Sequence, residues 1–278
     1  MSVTVFAAVL GAAFLHASWN ALIRIGAAKL TTMLVMTLVQ GALGAALALF
    51  HDWPAAAVWP WLLASGGLHA GYKIFLAYAY EQGDLSRVYP IARGAAPLIV
   101  LGLSVSFLQE GLTAQQVAAI LVLGLGILAM SAGAFRSGES RRLVPLALAS
   151  ALMTAGYSIV DGLGARVAGN AALFVAWLFV LDAMVFTPVV LVLRGRSVTR
   201  ADPRVWALGA AAAVFSYGAY AIAVWAMTVA PIALVTALRE TSILFAVLIG
   251  WLAFGERMDR TKASAAGLIL GGVLLMRI

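Results

Sequence analysis

His16, Trp19 and Asn20 stand at i, i+3 and i+4, so a helix through them puts an imidazole, an indole and a carboxamide on one face. His69, Tyr72, Lys73 and Tyr80 form a second such stripe, and Thr154, Tyr157, Ser158 and Asp161 a third. Ser216, Tyr217, Tyr220 and Trp225 share a fourth helix, with Tyr78 in the matching place on the second stripe's helix. Tyr89 and Arg93 lie one turn apart, and Thr236, Arg239 and Glu240 complete the set. These are binding groups. Rings receive apolar or cationic groups on their faces, imidazole and amide exchange hydrogen bonds, and Lys73, Arg93 and Arg239 can meet a carboxylate. A catalytic set is not legible: neither His16 nor His69 has a carboxylate at helical spacing, and His51 falls in a breaker. The chain reads as no enzyme, with no cofactor and no metal. Its lack of cysteine excludes disulfides and thiolate metal sites.

The elements that must position these stripes are apolar helices. The 278 residues are 64% hydrophobic and 10% charged, with mean hydropathy +1.02, against about 25% charged in a soluble domain. Ten spans are expected near 3–24, 31–50, 57–81, 86–108, 112–134, 143–167, 170–193, 204–229, 231–254 and 261–277. Breakers such as His51–Pro54, Glu81–Asp84 and Asp202-Pro203 separate them. Pro145 and Pro231 sit in first turns, where a missing N–H costs nothing. Met1 to Phe6 carry no side-chain charge, so no cleavable signal peptide is expected.

The chain also repeats itself. Arg93 to Met130 aligns without gaps on Arg239 to Met276 at an offset of 146, pairing Arg93 with Arg239, Glu110 with Glu256 and Gly126 with Gly272. An odd number of spans per copy inverts the second copy. The expected fold is an all-α polytopic membrane protein of ten helices, a basket-like bundle around a central cavity. The repeats are residues 1–135 and 143–278, joined by a cytoplasmic linker at 136–142. Inverted repeats of apolar helices are the signature of alternating-access carriers, with substrate held between the halves.

Alternate joints carry thirteen basic residues, the opposite set with both termini only Arg166 and Arg277. The positive-inside rule places the first set in the cytoplasm and both termini on the outer, periplasmic side of a cell inner membrane. The net charge of +7 is therefore a topology signal, and no nucleic-acid partner is expected.

Polar groups inside lipid face the bundle interior or a wet cavity. The stripes thus assign a central cavity to spans one, three, four, six, eight and nine, with five and ten packed outside. Spans two and seven are intermediate, with Gln40 and Asp182 near their middles. Each stripe also admits a packing reading, and Arg93 a snorkelling one. Asp161 reads as interfacial, Asp182 as paired with a base, and Glu240 as the counter-ion of a neighbouring helix. Pro97 cannot donate to the carbonyl of Arg93, so a kink or hinge is expected there, loosened further by Pro90. Gly67/Gly71 and Gly267/Gly271 are GxxxG pairs for close helix packing. The second pair also offers a dimer face, so the state is monomer or weak homodimer.

Two five-helix repeats, each closing on a Glu behind an Arg (Arg93…Glu110 and Arg239…Glu256), with glycine-rich runs Gly124-Leu-Gly126 and Gly271-Gly272 and the opening motif His16-Ala-Ser-Trp-Asn20, resemble the EamA-type drug/metabolite transporters. Within that superfamily the chain looks like the YddG-like amino-acid exporters. The resemblance implies a basket-shaped carrier of aromatic and other neutral amino acids, with the lipid bilayer as its surroundings. The expectation is an exporter of amino acids and similar small metabolites working by alternating access, facilitative by default. A proton-coupled exporter of lipophilic cations would need a mid-membrane carboxylate, for which Asp182 is the centred candidate. An organic-anion exchanger would draw on Lys73, Arg93 and Arg239, and a membrane enzyme ranks below both.

Overall fold

The computed structural model describes residues 1–25, 29–82, 85–130, 142–255 and 260–277, and within them the secondary structure is helical. The helices are α1 (Val3–Ile25), α2 (Lys29–Ala48), α3 (Trp59–Gln82), α4 (Leu85–Leu103), α5 (Ala114–Met130), α6 (Leu143–Ala168), α7 (Ala171–Arg194), α8 (Pro203–Val229), α9 (Ile232–Arg239), α10 (Ser242–Phe254) and α11 (Arg260–Arg277). Seven described segments are long and apolar enough to cross a membrane. Their ends follow local chemistry. Asn170 accepts from the Leu173 amide at 3.0 Å to start α7, and Asp202 accepts from Val205 at 2.8 Å, with Pro203 behind it, to start α8. The expected linker at 136–142 lies outside the described residues but for Arg142, as do Glu256 and the side chains of Tyr89 and Pro90.

Two spans differ from the expectation. The ninth is not one helix over 231–254: it tightens at Glu240–Thr241, dividing α9 from α10. There the amides of Glu240, Thr241 and Ile243 bond to carbonyls three residues back at 3.1 Å each. Thr241 Oγ1 donates to the Leu238 carbonyl at 2.7 Å, which holds the turn in this 3₁₀ geometry. The fourth span is helical over Leu85–Leu103, then widens into a π-helical turn over Ser104–Leu108. It ends on Gln109 in the left-handed region, φ 49°. The repeat mate of Gln109 is Gly255, also left-handed at φ 65°. Both copies therefore turn the corner after the fourth span in the same way, one with the residue suited to it and one without.

The copies interlock. α1 packs on α8 and on α9–α10, while its repeat mate α6 packs on α3 and α4; α2 lies on α7, and α5 on α11. At the α5–α11 seam, a Cβ on Gly126 would stand 2.9 Å from Leu268 and 3.2 Å from Ile269. One on Gly272 would stand 2.8 Å from the Leu123 side chain and 2.9 Å from the Ala119 carbonyl oxygen. Gly126 and Gly272 are repeat mates, and so are Leu123 and Ile269. Each contact is the image of the other, and the residue numbers rise along one helix as they fall along the other. The two helices run antiparallel, as repeats related by a two-fold axis perpendicular to the helices do.

The GxxxG expectation is corrected here. Gly67, Gly267 and Gly271 have nothing within 4 Å where a Cβ would stand, and Gly71 meets only the flexible end of Met153. Close approach falls instead on Gly126 and Gly272, and on Gly41 and Gly44 against α7. Large apolar side chains such as Leu49, Phe107 and Val192 stand more than three-quarters exposed on the outside. That surface suits hydrocarbon, with the polar groups turned inward.

Candidate functional site

The polar faces of α1, α3, α6 and α8 converge because α1 lies on α8 and α3 on α6. They enclose a cavity of about 30 Å³ at the centre of the bundle, room for one or two waters. α1 contributes His16 and Trp19, α3 His69, Tyr72 and Lys73, α4 Arg93, α6 Tyr157, α8 Ser216 and Tyr220, and α9 Arg239. α2 adds Met36 and Gln40, and α7 adds Phe179.

Charged groups here are paired across helices distant in sequence. Lys73 donates to Asp182 Oδ2 at 2.5 Å and to Thr37 Oγ1 at 2.8 Å, and its ammonium stands 4.8 Å from the centre of the Phe186 ring. Arg93 Nη1 donates to Glu240 Oε1 at 3.2 Å, and Nη2 meets His16 Nε2. Arg239 lies 3.9 Å from the same Glu240 oxygen and donates to the Tyr157 hydroxyl at 3.3 Å. His69 Nε2 lies 2.9 Å from Asp161 Oδ2, which also accepts from the Tyr220 hydroxyl. Rings hold these groups in place: His69 stacks on Tyr157 at 4.1 Å between ring centres, with Tyr72 and Tyr220 at its edges. The Arg239 guanidinium stands 5.5 Å from the Tyr220 ring centre and 5.9 Å from that of Tyr157.

Four buried polar atoms at this centre have no hydrogen-bond partner among the described residues: Asp161 Oδ1, Asp182 Oδ1, Arg239 Nε and Glu240 Oε2. A buried polar atom left unsatisfied costs about 1–3 kcal/mol. Such atoms are where water or a polar substrate is stabilised most.

The cavity gathers His16, Trp19, His69, Tyr72, Lys73, Arg93, Tyr157, Tyr220 and Arg239 from the expected set. Asn20, Ser158, Tyr217 and Trp225 do not line it. Asn20 donates to the His16 carbonyl at 2.8 Å, and Ser158 to the Thr154 carbonyl at 2.8 Å. Tyr217 tilts against Phe179, and Trp225 is 39% exposed on the outside. Tyr78 faces a second cavity toward the Arg194 end of α7, with the Arg194 guanidinium 5.6 Å from its ring centre. Lys73 lines both cavities.

Asp161 corrects the interfacial expectation: it is fully buried on His69 and Tyr220. Asp182 and Glu240 are paired as expected. The sequence reading missed Met36 and Phe179 as lining residues; it had Ser216 on the fourth stripe and Gln40 on an intermediate span. Gln40 donates to Ser216 at 3.0 Å, and its mid-span position was the available signal.

A further ion pair lies at the end of the bundle. Glu110, just after the fourth span, accepts from Arg166 at 3.0 Å and from the Ile232 amide at 3.0 Å, the first residue of α9. Arg166 in turn donates to the carbonyls of Met227 and Ala230 at 2.9 and 3.1 Å. One carboxylate thus ties the end of α4 to the ends of α6, α8 and α9.

A solved crystal structure, described simply as that of a protein, superposes with TM-score 0.72 over 98% of this chain and 94% of its own, at 21% identity. It shares the fold. No curated protein matches. The EamA-like transporter family matches twice, over residues 3–132 and 142–278, one match to each copy of the repeat. The chain is a multi-pass membrane protein and a transporter rather than an enzyme: it belongs to the EamA-like transporter family.

Proposed function

We propose that the chain exports neutral amino acids, aromatic ones among them, and similar small metabolites, in the manner of the YddG-like exporters. The observation that carries this is the charge balance at the centre. Lys73, Arg93 and Arg239 are matched by Asp161, Asp182 and Glu240, three against three. A zwitterion adds no net charge to such a site, whereas a net charge taken out of water there is strongly penalised. The rings of Trp19, Tyr72, Tyr157 and Phe179 line the same space and suit an apolar or aromatic side chain. The cation-exporter alternative loses ground because Asp182, its carboxylate, is held by Lys73. The anion alternative loses ground because Arg93 and Lys73 each face a carboxylate.

Passage of a substrate through the cavity requires side chains to part. Bonds around the cavity join α4 to α9 and to α1, and α6 to α8 and to α9. The moving bodies in our account are accordingly α3, α4 and α6 against their repeat images α8, α9 and α1, not residues 1–135 against 143–278. Alternating access then consists of breaking Arg93–Glu240, Tyr220–Asp161 and Arg239–Tyr157 in favour of substrate. Both termini lie on the outer side of the inner membrane in this account, and the working unit is a monomer or weak homodimer.

Counterflow tests the reading. Proteoliposomes loaded with unlabelled phenylalanine, methionine or threonine accumulate the labelled form of the same amino acid. Accumulation no greater than in protein-free vesicles for all three overturns it.

A further inference from the structure

His69 is wired so that only one of its ring nitrogens is committed. An ionised Asp161 only accepts hydrogen bonds, and the Tyr220 hydroxyl already donates to it. His69 Nε2, 2.9 Å from Asp161 Oδ2 and 3.3 Å from the Tyr220 oxygen, must therefore carry the ring proton. That leaves Nδ1 with its lone pair, and among the described residues it has no partner. The ring is buried, yet it lines the central cavity, while Asp161 stands behind it and does not.

We propose that His69 Nδ1 is the proton-binding site of an amino acid/proton exchanger, with Asp161 as the positioning residue that holds its tautomer by accepting from Nε2. The inference rests on the amino-acid reading of the cavity. In the neutral form, Nδ1 accepts a hydrogen bond from the substrate ammonium. A proton arriving from water binds the same lone pair, turns Nδ1 into a donor and expels the ammonium. On the other side of the membrane the proton returns to water and the lone pair again accepts substrate. One proton and one ammonium compete for one lone pair, which is the requirement for exchange.

The surroundings permit this cycle. Facing His69 are Tyr72 on its own helix, Tyr157 and Asp161 on α6 and Tyr220 on α8, while Lys73, one turn along α3, and Arg239 on α9 line the same cavity. α7 offers the uncharged Phe179, while Arg93 on α4 and His16 on α1 line the same cavity. Asp161 is the carboxylate in contact with the ring. Its second oxygen, buried without a partner among the described residues, has capacity for a further hydrogen bond.

Proteoliposomes with the membrane potential clamped to zero by potassium and valinomycin decide it. With a lumen one pH unit more acid than the bath, one-for-one exchange drives labelled phenylalanine inward to about a tenfold ratio. The lumen becomes more alkaline as it enters, read by trapped pyranine. Asp161→Asn no longer fixes the His69 tautomer and accumulates no phenylalanine on the pH gradient. Intact wild-type counterflow with a ratio of one and no lumen pH change overturns the proton site and leaves the amino-acid reading standing. Absence of wild-type counterflow overturns the amino-acid reading, and the exchange with it. The wild-type pyranine signal decides the question even if Asp161→Asn fails to fold.

Discussion

Lys73 and Asp182 meet at 2.5 Å from α3 and α7, neither more than 2% exposed. Two charges withdrawn from water are stable there only as a pair, and losing one partner costs about 3–5 kcal/mol. Lys73→Met and Asp182→Leu singly are expected to lower the unfolding temperature sharply in detergent. The double variant recovers most of the loss, because an apolar pair of similar volume replaces the ions. A double no more stable than the worse single contradicts the pairing.

Gln109 sits at φ 49° where its repeat mate is Gly255. A left-handed backbone costs a residue with a Cβ roughly 1–2 kcal/mol. Gln109→Gly should raise thermal stability by about 1 kcal/mol and leave transport unchanged. Equal or lower stability in a thermal melt counts against strain at this corner.

The α5–α11 seam has no room at Gly272, where a Cβ would stand 2.9 Å from the Ala119 carbonyl oxygen. Gly272→Val forces the helices apart and is expected to cost about 1–3 kcal/mol. Gly267→Val, with nothing within 4 Å, leaves stability unchanged. Equal melting temperatures for the two variants contradict the seam.

Glu110 accepts from Arg166 and from the first amide of α9. Charge-assisted bonds of this kind contribute about 1.5–3 kcal/mol. Glu110→Gln should therefore lower stability. It should also raise the labelling of a cysteine placed at Ala230 by a membrane-impermeant thiol reagent, because the chain has no other thiol. Unchanged labelling contradicts a fastening role.

Much of this was legible in the sequence because membrane helices declare themselves by composition and repeats by register. The stripes on α1, α3, α6 and α8 carry types and spacing that put rings on one face, and most of those rings reach the cavity. Partner identity was not legible. His69 and Asp161 are 92 residues apart, and Arg93 and Glu240 147, so no helical spacing connects them. Asp161 looked interfacial because depth was counted along one helix, whereas burial is set by α3 and α8 lying across it. The turn at Glu240–Thr241 escaped notice because hydropathy is continuous across it. Gly267 and Gly271 matched a packing motif, yet the chosen approach is set by which face of α11 meets α5.

The central claim is that the balanced interior selects a net-neutral substrate. Three labelled compounds of nearly one shape test it most directly: phenylalanine, phenethylamine (the cation without the carboxylate) and 3-phenylpropionate (the anion without the amine). In counterflow with reconstituted wild-type protein, phenylalanine is expected to move at least tenfold faster than either analogue. Phenethylamine or 3-phenylpropionate moving as fast as phenylalanine would contradict it.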